Sequence, residues 1–270
     1  MTQTLNESYP GRDYWEKRLS EKWGLHGVGH VSFGSPYNEW LYRVRSRVFL
    51  RHLRQLQTRI EGCSALDVGS GTGFWLDAWK RLGIRDLVGS DMTTVAVEKL
   101  RKDYPGLSVL ELDISEREAT RRIDRQFQFI SAFDVLYHIM EEERFETAIS
   151  NISSLLCTGG YFIFTDSFLR SSQTSSAHQV NRTLAKYTEL LKASGLVLVR
   201  RAPIFVLMQT PVDTKSRSLP FLWKSAMAPV KLVPWIGHLY GALLFPLELL
   251  LTRYLDESLS TEIMICRKSQ

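Results

Sequence analysis

Cysteine is scarce. The 270-residue chain holds three, Cys63, Cys157 and Cys266. They are far apart and odd in number, which excludes a disulfide framework and a Cys cluster for zinc. Each lies near an apolar run and reads as a buried free thiol. The opening residues, MTQTLNESYPGRDYWEK, lack the apolar core of a signal peptide, so a cytoplasmic protein is expected. A clean membrane span wants about 20 unbroken apolar residues, and none is present. The greasiest run, 232–251, is interrupted by Pro234, His238, Pro246 and Glu248. Neither sign of charge dominates. The net charge of +5 fits a mildly basic enzyme and leaves contact with nucleic acid, anionic lipid or acidic substrates open. There is no internal repeat.

What is present is a well-packed soluble composition, 44% apolar and 23% charged, of a length suited to one α/β domain with insertions. Residues 1–36 read as an irregular arm with a short helix near Tyr14–Trp23. Residues 37–60 read as a helix with an apolar stripe at Leu41, Val44, Val48, Phe49 and Leu53. Its Arg47, Arg51 and Arg54 form either a solvated face or an anion site. From residue 64, strands and helices alternate: SALDVG, FWLDAWKRL, DLVGSD, TTVAVEKLRKDY, SVLELDI, FQFISAFDVL, EEERFETAISNISSLL, GYFIFTD, NRTLAKYTELLKASG, LVLVRRAPIFVL and STEIMICRK. ATRRI is a candidate short helix and SSQTSSAH a polar loop. That rhythm implies a doubly wound, largely parallel sheet. Residues 1–60 divide off as the arm and its helix, 61–270 as the domain, and 211–257 as an insertion before the last strand.

The stretch ALDVGSGTGFWLDAW carries the functional signal. A strand ending in a Gly-rich turn that opens a helix presents backbone N–H groups to an anionic ligand group. The spacing here is Gly69-x-Gly71-x-Gly73, followed by Phe74. The third glycine is one position early for a dinucleotide fingerprint, and no Lys-Ser/Thr pair marks a P-loop.

LDVGSGTG resembles the first motif of the class I S-adenosylmethionine-dependent methyltransferases, and the resemblance continues in order along the chain. Asp91 ends the next strand, where the family places an acid on the ribose hydroxyls; a carboxylate suits two O–H donors. Asp113 and Ile114 resemble the adenine-contacting pair. FDVLYHI resembles the segment beside the sulfonium, and LLCTGGYFIF the turn before the fifth strand. The match spans about 60–200 and the closing strand. It implies a Rossmann-like, seven-stranded sheet with the last strand antiparallel, and S-adenosylmethionine as cofactor. Its implied contacts are Asp67, Gly69, Ser70, Gly71, Gly73, Asp91, Met92, Asp113, Ile114 and Phe133. Asp67 either touches the methionine amino group or only orients the loop. Gly71 also suits close helix–strand packing, and Asp91 a helix cap.

Methyl transfer mainly requires alignment of donor and nucleophile, with a base only where the acceptor must lose a proton. His138, after the fourth strand, is the first candidate base; a pocket wall is the other reading. Tyr137 beside it is a hydrogen-bonding or stacking candidate. Asp166, at the end of the fifth strand, is a second candidate base, or a turn cap. His178 is a third candidate, or simply exposed. His26 and His30 are separated by glycines that argue against a shared metal. No acidic pair for magnesium stands out, so metal independence is expected.

Trp15, Trp23, Tyr37 and Trp40 suit an arm folded over the cofactor; Arg43 and Arg47 read first as exposed charge, otherwise as a contact to its carboxylate. The insertion reads first as an amphipathic cap over the site, otherwise as a shallow membrane attachment or a dimer interface. No NPPY-type or Pro-Cys motif is present, nor are arginines interleaved with aromatics, so nucleic acid is not an expected partner. The expectation is a methyltransferase acting on a small, partly apolar acceptor, most simply by O-methylation. Alternatives are a methyltransferase of RNA or protein, a non-catalytic scaffold of the same fold, and a nicotinamide oxidoreductase, which Phe74 argues against.

Overall fold

The computed structural model describes residues 10–176, 178–216 and 218–269. The apolar alternations form strands β1 (Ser64–Val68), β2 (Asp86–Asp91), β3 (Ser108–Glu111), β4 (Phe127–Ala132), β5 (Leu156–Asp166), β8 (Leu196–Pro203) and β9 (Glu262–Lys268). They make one seven-stranded sheet of order β3-β2-β1-β4-β5-β9-β8. β9 is antiparallel to both its neighbours, and the other pairings are parallel. The remaining strands, β6 (Thr174–Ser176) and β7 (Gln179–Asn181), pair as a hairpin where the polar composition suggests only a loop.

Successive strand residues point to opposite faces, and the two hydrophobic clusters sort accordingly. Ala65, Leu87, Phe129 and Ile263 join one cluster. Their successors Leu66, Val88, Ile130 and Met264 join the other. The first face is covered by α3 (Gly34–Leu53), α4 (Phe74–Arg81) and α5 (Thr94–Asp103), the second by α6 (Glu142–Leu155) and α7 (Leu184–Ala193). The arm contributes α1 (Pro10–Glu21) and the one-turn α2 (Leu25–Val28). α3 begins three residues before, and ends seven residues short of, the helix expected over 37–60.

The insertion folds as α8 (Ser218–Ala226), α9 (Ala228–Leu232) and α10 (Ile236–Tyr254). α10 lies alongside α3 in the same direction. Gly237 sits against Tyr37, Gly241 against Trp40, and Thr252 accepts from Arg51. A Cβ on Gly241 would come within 2.1 Å of the Trp40 ring, so glycine is what permits this approach. Buried Glu248 ties α10 to the chain after β8, accepting from the N–H groups of Val206, Leu207 (2.9 Å) and Met208 (3.2 Å). No helix among the described residues is long and apolar enough to cross a membrane.

Candidate active site

Strand order reverses at β1, which lies between β2 and β4. In open α/β sheets ligands bind beyond the strand ends at such a reversal. The main pocket lies there, lined by Gly69, Ser70, Gly71, Asp91, Met92, Asp113, Ile114, Phe133, Asp134 and His138, with Trp15, Leu19 and Val28 of the arm and Tyr42 of α3 across from them.

The glycine turn is shaped by close neighbours. Gly69 has φ +69° and Gly71 +53°, left-handed values that disfavour a side chain. A Cβ on Gly69 would meet Val135 at 2.5 Å. Gly73 is also left-handed, but faces Tyr104 and lies outside the pocket lining. Ser70 anchors the turn, its hydroxyl donating to the Asp67 carbonyl at 3.0 Å and its N–H to the Ser90 carbonyl at 2.8 Å.

Three buried carboxyls mark successive strands. Asp91 accepts from the Gly71 N–H (2.9 Å) and from the Thr93 N–H and hydroxyl (3.0 and 2.7 Å). Burial raises its pKa while those bonds pull it back. A carboxylate has about four acceptor positions; three are taken, so one remains for a ribose hydroxyl. Asp113 accepts from Ser115 and, at 2.6 Å, from Arg144. Asp67 lies behind the pocket wall rather than on it. One of its oxygens accepts from Ser131 at 2.5 Å, and its Oδ2 has no hydrogen-bond partner. Burial pushes its pKa up to about 7. The glycine cradle, the orphaned Asp67 oxygen and carboxyls at two further strand ends fit the S-adenosylmethionine that the sequence resemblance implies.

Of the four catalytic candidates His138, Tyr137, Asp166 and His178, His138 alone lines this pocket. Its Nδ1 is 2.9 Å from the His178 carbonyl and therefore carries the proton, which leaves Nε2 with the lone pair. Burial drives its pKa down to about 3, and the Trp15 ring stands edge-on at 4.8 Å. A base this weak is poorly matched to proton abstraction near neutrality. His178 is likewise lowered by burial, and Tyr14 stacks on it. Tyr137 sits beside His138 but outside the lining, its hydroxyl pushed well above its ordinary value by burial and Asp134. Asp166 has a pKa of about 7 through burial, yet it is fully buried, capped by the Tyr187 hydroxyl and the Ser167 N–H, and does not reach the pocket.

The acid that the pocket presents beyond β4 is Asp134, which the sequence reading passed over. It adopts φ +58°, an uncommon conformation for a side-chain-bearing residue and one found at functional sites. Thr165 holds its N–H and Oδ1, each at 2.9 Å, and Arg45 donates to its Oδ2 at 2.6 Å. Arg45 is buried, and its Nε and Nη1 find no acceptor. The phase of α3 turns Arg45 inward and leaves Arg43 and Arg47 exposed, the first of their two readings, and neither lines the pocket. The described residues of the insertion do not cap the site either: none of them lines the pocket, because Glu248 and the α3 contacts hold them behind α3.

Residues 37–198, more than half of the chain, match the family of methyltransferase domains. The chain belongs to that family. Solved structures agree with the fold of this methyltransferase. A magnesium protoporphyrin IX methyltransferase from Synechocystis, with bound S-adenosylmethionine, is 15% identical with a TM-score of 0.57, covering 98% of this chain and 100% of that one. An N-methyltransferase from Bradyrhizobium japonicum, in complex with S-adenosylhomocysteine, is 12% identical with a TM-score of 0.56, covering 96% and 99%. A didemethyltoxoflavin methyltransferase from Burkholderia thailandensis, with its substrate and S-adenosylhomocysteine, is 15% identical with a TM-score of 0.54, covering 97% and 92%. Identities this low carry the fold. Within it, the methyltransferase pocket gathers eight of the ten expected cofactor contacts into its lining and leaves Asp67 and Gly73 behind it.

Proposed function

We propose that this methyltransferase takes its methyl group from S-adenosylmethionine and places it on a small, partly apolar acceptor, most simply on a hydroxyl. A lipid-linked, glycan-related or secondary-metabolite molecule has that character. The observation that carries the reading is one pocket in which the Gly69–Gly71 cradle, Asp91 and Asp113 at successive strand ends meet a wall of Trp15, Trp75, Phe133 and His138. Two of the similar structures belong, by name, to methyltransferases of a porphyrin and a toxoflavin precursor, which supports a small acceptor.

When bound, S-adenosylmethionine supplies a methyl already activated on sulfur. The chain's residues then bind, orient and exclude water. Asp91 takes a ribose hydroxyl and Asp113 with Ile114 the adenine edge. Phe133, stacked on Trp75 at 3.8 Å, and Trp15 keep the centre dry. Asp134, held by Arg45, is the carboxylate placed to orient and accept from an acceptor hydroxyl, a role that takes the place of Asp166. His138 shapes the wall.

A cytoplasmic chain that meets a membrane surface fits the insertion. Phe221, Leu222, Leu232, Trp235, Leu239, Leu243, Leu250 and Tyr254 are each more than half exposed. The one acid within 215–254, Glu248, is buried, so this face carries only cations such as Lys224, Lys231 and Arg253. Apolar groups bordered by Lys and Arg suit an anionic lipid surface.

Calorimetric titration with S-adenosylmethionine, S-adenosylhomocysteine and NADH is the first test, followed by labelled methyl donor with apolar hydroxylated acceptors. Binding of the two sulfur compounds alone, then label on an acceptor, is the expected result. NADH binding alone would replace the reading with an oxidoreductase, and cofactor binding with label on RNA or protein would replace the acceptor class.

A further inference from the structure

A second cavity, of about 270 Å³, opens where α3 and α10 end together beside β8. It is lined by Arg51, His52, Gln55, Arg200, Thr252 and Arg253. Among the described residues, no acidic side chain forms an ion pair with any of these arginines. Burial, and after it the nearby cations Arg253 and Arg200, lower the pKa of Arg51.

Helix dipoles account for part of this. Arg51 donates to the last carbonyls of α10, at Leu249 and Thr252. Each helix C-terminus is equivalent to roughly half a negative charge. Two such ends amount to about one charge against three guanidiniums, so the cavity keeps an excess of about two positive charges.

Its floor is also built. His52 is 4% exposed, and neither ring nitrogen reaches a hydrogen-bond partner, with Gln55 beside it. Buried polar groups are normally paired. Arg200 arrives by a break in register: Leu198 pairs with Cys266, but Arg200 with Ile265. Cys266 belongs to the cluster under α6 and α7, and Ile265 to the one under α3. The extra residue, Val199, therefore turns Arg200 toward α3 and α10, as bulges re-aim side chains.

We propose that this cavity binds a phosphate ester, its oxygens accepting from Arg200, Arg253 and Arg51 with His52 beneath. The chemistry is shared by a phospholipid headgroup and a free phosphate compound. Leu250 and Tyr254, exposed on the same end of α10, place acyl-compatible surface at its rim and favour the headgroup.

The test uses the full chain, as wild type, Arg200→Gln/Arg253→Gln, and the control Lys224→Gln/Lys231→Gln, which lies outside the cavity. Sodium phosphate at matched ionic strength should raise the wild-type melting temperature saturably and raise the pH at which the His52 Cε1–H resonance titrates; neither effect should survive in the arginine variant. Phosphatidylcholine vesicles containing phosphatidylglycerol should sediment the wild type, and the arginine variant should bind at least tenfold more weakly than the lysine variant. If surface attraction alone held the protein, losing two cations would weaken both variants equally. Saturable phosphate with equal vesicle losses would assign the site to a soluble phosphate ester. No saturable phosphate effect together with equal vesicle losses would overturn it. Unchanged S-adenosylhomocysteine binding in each variant shows that the protein is folded and keeps this result separate from that of the proposed function.

Discussion

At the residue scale, the site's carboxyls divide by what surrounds them. Asp67 is 1% exposed, with one satisfied oxygen and one orphan, and its pKa of about 7 ties folding to pH. Between the unfolded value near 4 and about 7, the native state holds a proton that the unfolded chain has released. Stability therefore falls as pH rises through that window, by up to about 1.4 kcal/mol per unit. Asp67→Asn keeps an acceptor for Ser131 and does not titrate. Urea unfolding of the cofactor-free protein should find the variant gaining roughly 2–4 kcal/mol on the parent between pH 4 and pH 7; parallel curves would mean that Asp67 ionises normally. Asp134→Asn tests the other role. Asn tolerates a left-handed backbone and still accepts from Arg45, so the fold and S-adenosylhomocysteine affinity should hold. Turnover on an identified acceptor should drop by about 100-fold, the scale of a lost general base; full turnover would leave Asp134 as a support for Arg45. The ends of β1, β2 and β3 were readable in advance because a Gly-rich turn and a strand-terminal acid each have a local signature. Asp134 and Arg45 were not, since their meaning lies in a contact 89 residues apart in sequence.

At the scale of elements, the alternating strands and amphipathic helices were legible from periodicity alone. The β6–β7 hairpin was not, because its strands are three residues each and exposed Ser and Thr dominate the first. The insertion's composition was clear but its docking was not. Pro246 does not break α10: it faces solvent, where water can take up the carbonyl left without a donor. Glu248 reads in sequence as a polar interruption, yet it is the residue that fixes the helix. Three amide N–H groups, one buried and two part-buried, depend on it, and stranding a buried one costs about 1–3 kcal/mol. Glu248→Ala should lower unfolding free energy by about 3 kcal/mol or more. A denaturation midpoint unchanged from the parent would mean that α10 is held by its α3 contacts alone.

At the scale of the whole molecule, the arm and the cofactor pocket are coupled through one helix terminus. Thr93 stands at the N-cap of α5, but its hydroxyl is drawn to Asp91, so α5 has no cap of its own. Glu16 of α1 supplies one, accepting from the N–H groups of Thr94 and Val95 at 2.8 and 3.0 Å. A carboxylate there also complements the helix dipole. The same α1 carries Trp15 and Leu19 into the pocket wall, so lifting α1 from α5 would open that side of the pocket to a bound ligand. Glu16→Ala removes a cap worth about 1 kcal/mol from the closed arrangement and touches nothing in the pocket. Stopped-flow displacement of S-adenosylhomocysteine should show dissociation faster by about fivefold, the kinetic equivalent of that energy. Global unfolding should lose no more than that same ~1 kcal/mol, because α5 remains packed through Ala96, Val97 and Leu100. Dissociation at the parental rate would mean that the ligand leaves without moving α1, and that the arm is a fixed wall instead of a door.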